Sequence, residues 1–142
     1  AAAAAVQAAG ALERERAESH RRLAGEGRRL AETCNVARGL RQAARGGAPA
    51  RRQAEAVVTK ARDRGLDATL LAGVLAALPA RPEQRGAFDD LVLDAFDSHL
   101  VSCSREMEEE IAKAAAASRE ASQAACAARA ARAAALPAQT TA

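Results

Sequence analysis

The sequence predicts an all-α protein: a long antiparallel helical hairpin of coiled-coil character, with two short helices forming a head at its turn. Three observations carry the expectation. From Leu93 to Ala135 one heptad position holds Leu93, Leu100, Met107, Ala114, Ala121, Ala128 and Ala135. The position three residues later holds Phe96, Cys103, Glu110, Ala117, Ala124 and Ala131, with Glu110 the one polar interruption. A 3.5-residue repeat sustained this long asks for a helix that buries one narrow seam against another helix. Tyr and Trp are absent and Phe occurs only at Phe88 and Phe96, so a sheet core has little to build with. Finally, glycine and proline are grouped between the periodic stretches, at Gly46, Gly47 and Pro49, at Gly65, and at Pro79 and Pro82.

Taken in order, residues 1–45 read as one proline-free helix in which Leu23, Leu30, Ala37 and Ala44 recur every seven residues, with Cys34 and Leu40 beside the stripe. Gly25, Gly27 and Gly39 weaken it by about 1 kcal/mol each relative to alanine, which means either tolerance or close approach of another backbone. Gly46, Gly47 and Pro49 supply a stop, a turn and a first-turn proline. A second helix follows over 50–64, with Ala54, Val57, Val58 and Ala61 on its apolar face and Gly65 at the left-handed closing position. Asp67 can cap a third helix over 68–78 while Leu66 staples to Leu71. Val57, Val58, Leu66, Leu71, Val74, Leu75 and Leu78 are the expected head core. Pro82, with Glu83 and Gln84, suits the first turn of a last helix over 82–136, and Pro137 opens a polar tail over 137–142.

Two long and two short helices fold most economically as one hairpin domain over 1–142. Pairing Arg45 near Phe88 gives arms of equal length, about 65 Å at 1.5 Å per residue. Opposing residue numbers then add to about 133, a register read from the same 1.5 Å rise. The charges agree with this arrangement. Residues 1–64 carry fourteen basic and seven acidic side chains, and residues 83–110 carry nine acidic and two basic. Arg28, Arg29, Arg38, Arg41 and Arg45 lie alongside Asp89, Asp90, Asp94, Asp97, Glu106 and Glu108. Such pairs contribute tenths of a kcal/mol each, yet they select partner and direction. Leu23, Leu30, Leu93, Phe96, Leu100, Cys103, Met107 and Ile111 are expected to hold the hairpin seam.

After Ile111 the seam is alanine alone, and alanine buries little area at roughly 25 cal/mol per Å². Alanine is the best helix former, and Ala and Arg enrichment with only Lys60 and Lys113 as lysines points to a GC-rich coding sequence. The more specific reading assigns Ala114, Ala117, Ala121, Ala124, Ala128 and Ala131 to a partner interface. A chain this poor in bulky residues stands weakly alone, since ordering costs about 1 to 2 kcal/mol per residue.

Other chemistries have thin support. Ala61, Gly65 and Leu71 match helix-turn-helix spacing, with Arg51, Arg52, Lys60, Arg62 and Arg64 nearby. The second helix would present Ala68, Thr69, Ala72 and Gly73 to base edges, which cannot read sequence. Non-specific phosphate contact is the alternative function, through those basic residues and the first helix. His99, Cys103 and Met107 fall four residues apart, with Cys34 opposite, in soft-metal spacing or within reach of a disulfide. Seam packing explains them more simply. The carboxylates Glu106, Glu108, Glu109 and Glu110 read as a solvated face, and there is no Ser nucleophile near a His, no phosphate-binding Gly-rich loop and no Glu-x-x-His pair for a di-metal bundle.

The expectation is a non-enzymatic structural subunit whose partners are other protein subunits of a larger assembly. No catalytic residue, cofactor, metal or small-molecule substrate is expected. No apolar run approaches the roughly 18 residues of a membrane span. Cys34, Cys103 and Cys126 are dispersed and odd in number, which favours a reducing compartment, cytoplasm or organelle. The start at Ala1 reads as a trimmed or processed product, and Glu13, Glu15 and Glu18 argue against a transit peptide remaining.

Overall fold

The chain is all-α in a computed structural model that describes residues 1–140, with side chains placed as far as Leu136. Its elements are α1 (Ala2–Ala43), α2 (Gly47–Arg62), α3 (Ala68–Ala77), a 3₁₀ turn at Pro82–Gln84 and α4 (Ala87–Thr140). The helical hairpin is formed by α1 packing against α4. The contacts gather into two units: Ala1–Gly27 with α4 from Met107 onward, and Arg28–Glu106.

In the unit Arg28–Glu106, all four helices share one core. Ala37, Leu40 and Ala44 meet Ala54, Val57, Val58 and Ala61 of α2, Leu71, Val74 and Ala77 of α3, and Leu93, Phe96 and Leu100 of α4. Leu66 and Leu78 complete the core and Leu75 packs half-buried against it. The first-helix stripe is Leu30, Thr33, Ala37, Leu40 and Ala44, a 3-4 alternation in which Thr33 replaces the expected Cys34. Thr33 is tolerated there because its Oγ1 donates to the Arg29 carbonyl at 3.0 Å. Gly73 lets α3 close on α4, since a Cβ there would lie 3.1 Å from Val92 Cγ1.

The turns follow their glycines. Gly46 (φ 74°) and Gly47 (φ 79°) take the left-handed conformation that reverses the chain into α2. Gly65 (φ 82°) does the same before Leu66. Element ends differ from expectation by at most five residues, and the start of α3 not at all. α2 begins at Gly47 and ends at Arg62, and Pro49 sits inside its first turn. Asp67 occupies the N-cap of α3 with extended backbone but makes no side-chain cap bond. α4 starts at Ala87 and not at Pro82, because Asp89 Oδ2 accepts the Gly86 N–H at 3.1 Å, half of a capping box. At its far end α4 continues through Pro137 to Thr140. Proline's fixed φ is helical, so a helix can run through it at the cost of one missing bond and a crowded carbonyl four residues back. The expected polar tail ends at Thr141 and Ala142, outside the described residues.

In the unit containing Ala1–Gly27, Gly27 lies against α4: a Cβ there would meet Ile111 Cδ1 at 2.7 Å and Met107 Cγ at 3.5 Å. Glu13 pairs with Arg129 at 3.7 Å. Met107, Ala121 and Ala125 are buried, and Ile111, Ala114, Ser118 and Ala128 half-buried. The covered stripe is therefore 107, 111, 114, 118, 121, 125 and 128. Glu110 is exposed and Ile111 takes the inner position. A straight helix drifts about 20° per heptad against a 3.5 repeat, and that drift carries the contact one residue on.

Candidate functional site

The helices of unit Arg28–Glu106 end on a cluster of arginine side chains that sequence reasoning does not single out. Arg85 follows the 3₁₀ turn in extended conformation (φ −81°, ψ 136°), which turns its side chain inward between helix ends. Its Nε donates to the Ala77 carbonyl at 2.9 Å, and Nη2 donates to Leu78 at 2.8 Å and to Leu40 at 3.0 Å. Nη1 donates to the Arg41 carbonyl. One guanidinium thus bonds carbonyls at the C-terminal ends of both α1 and α3, where the helix dipoles are negative; it is a second donor to Leu40 and Ala77, which also accept the Ala44 and Ala80 N–H groups. Burial lowers the Arg85 pKa, with the neighbouring Arg41 charge acting in the same direction. Arg81 repeats the motif in smaller form, donating from Nε to the Arg45 carbonyl at 3.0 Å.

Arg41 bridges α1 to α4 by donating to Asp97 and Asp94, and the bond to Asp94 is the largest influence raising its pKa. This is the part of the anticipated basic-acidic pairing that takes the form of ion pairs. Among the described residues Arg28, Arg29, Arg38 and Arg45 make none. The register is shifted accordingly. Arg41 with Asp97 and Cys34 with Ser104 (3.7 Å) have numbers adding to 138, against the expected 133. Arg85, just before α4, bonds α1 at Leu40 and Arg41 within this register.

The seam residues Leu30, Leu93, Phe96, Leu100, Cys103 and Met107 are buried, and Leu23 and Ile111 are half-buried. Val57, Val58, Leu66, Leu71, Val74 and Leu78 are buried in the head. The six partner-interface alanines divide. Ala121 is covered by its own chain, Ala114, Ala117 and Ala128 are half-covered, and Ala124 and Ala131 are exposed. Ala121 is therefore not free to meet a partner.

His99, Cys103 and Cys34 do not converge as a ligand set: among the described residues no group of three or more His, Cys, Asp or Glu could hold a metal. His99 Nε2 is buried without a hydrogen-bond partner, and all three cysteines are free thiols. Desolvation raises the Cys103 pKa. Among the described residues, Arg52, Lys60 and Arg62 of α2 are exposed and outside any ion pair, whereas Arg51 pairs with Glu55 at 3.3 Å and Arg64, beyond the helix, is half-buried. No helix is long and apolar enough to cross a membrane among the described residues. No protein-family model, curated protein or solved structure matches the chain.

The signal for Arg85 is present in the sequence in outline. An arginine just after a proline-closed helix, in the short link to the next, is placed to bond terminal carbonyls. Extending α4 back to Pro82 hides it, because Arg85 then becomes an ordinary surface residue.

Proposed function

We propose that the protein is a non-enzymatic assembly subunit, with the alanine-rich part of α4 packing lengthwise against another protein. The supporting observation is that α1 covers one stripe of this segment, centred on Ala121 and Ala125, and leaves Ala124 and Ala131 exposed beside it. Small side chains allow a second helix backbone to approach closely where a bulky face would hold it away. The test is the native size of the tagged chain recovered from its own cells. It should elute well above its 14.6 kDa, and Ala124→Arg with Ala131→Arg should return it to smaller size without loss of helicity. An unchanged native size in that variant contradicts the reading.

Arg52, Lys60 and Arg62 support a second reading, non-specific contact with nucleic-acid phosphates. It requires affinity that falls steeply with salt and is lost on reversing those three charges. Salt-independent or absent binding removes it.

A further inference from the structure

We draw no further inference here: the strongest candidate, the exposed apolar side chains of Phe88 and Leu91 on the surface of α4 near its start, carries nothing because nothing in the structure shows what covers them.

Discussion

At the residue scale, Arg85 does what no local sequence rule demands of it: a single side chain closes two helices at once. Charged hydrogen bonds contribute about 1.5 to 3 kcal/mol apiece, non-additively, and the part-buried Arg41 and Leu78 carbonyls would lose the donor that Arg85 supplies. Arg85→Ala should therefore cost about 3 kcal/mol in urea unfolding. Arg85→Lys should recover less than half, since an ammonium cannot span two helix ends. Glycines provide a sharper contrast. Gly39 has open space within 4 Å of where a methyl group would sit, so Gly39→Ala should stabilise by about 0.5 to 1 kcal/mol through helix propensity alone. Gly27→Ala should gain little, because Ile111 Cδ1 already fills that space at 2.7 Å. The thiols should separate by burial: Ellman's reagent at mild alkaline pH should modify exposed Cys126 first, half-buried Cys34 next and Cys103 last. Because desolvation raises the folded-state pKa of Cys103, the unfolded chain ionises first as pH rises. The stability tied to its protonated thiol is complete at neutral pH and lost through the alkaline thiol range, so the deficit of Cys103→Ala should shrink there.

At the element scale, α4 carries different duties on its faces, and alanines three residues apart are not equivalent. Ala121 is inside and Ala124 is outside. Ala121→Leu should overpack the contact with α1 and destabilise the isolated chain by about 1 to 3 kcal/mol, whereas Ala124→Leu should leave its thermal unfolding nearly unchanged. The helices and their order are legible from periodicity and from Gly46, Gly47 and Gly65, whose positive φ values belong to turns. Leu93, Phe96, Leu100 and Met107 stand out as a buried stripe because a bulky heptad series has one reading. Beyond Met107 the signal fades, since alanine on every face marks no side as the inner one. The change from the position of Glu110 to that of Ile111 depends on helical drift, which a fixed heptad count ignores. The start of α4 is hard to place for a related reason. Pro82, Glu83 and Gln84 do open a helical turn, but it is a 3₁₀ turn that ends before Arg85.

For the molecule as a whole, the inner stripes of both units are built from the chain itself. Four helices share the core around Phe96, and α1 covers Ala121 and Ala125. Among the exposed residues are Ala124 and Ala131 along one segment and the bulkier Phe88 and Leu91 along another. An assembly role rests on the first of these being covered by another protein. The most direct measurement is maleimide labelling at position 124, introduced as Ala124→Cys with Cys126→Ser and read against the Cys126→Ser chain that keeps only Cys34 and Cys103, in the isolated chain and in the native particle. Labelling should be rapid in isolation and at least about tenfold slower in the particle, the protection expected of a packed interface core. Equal rates in the two states would contradict an assembly role for this face.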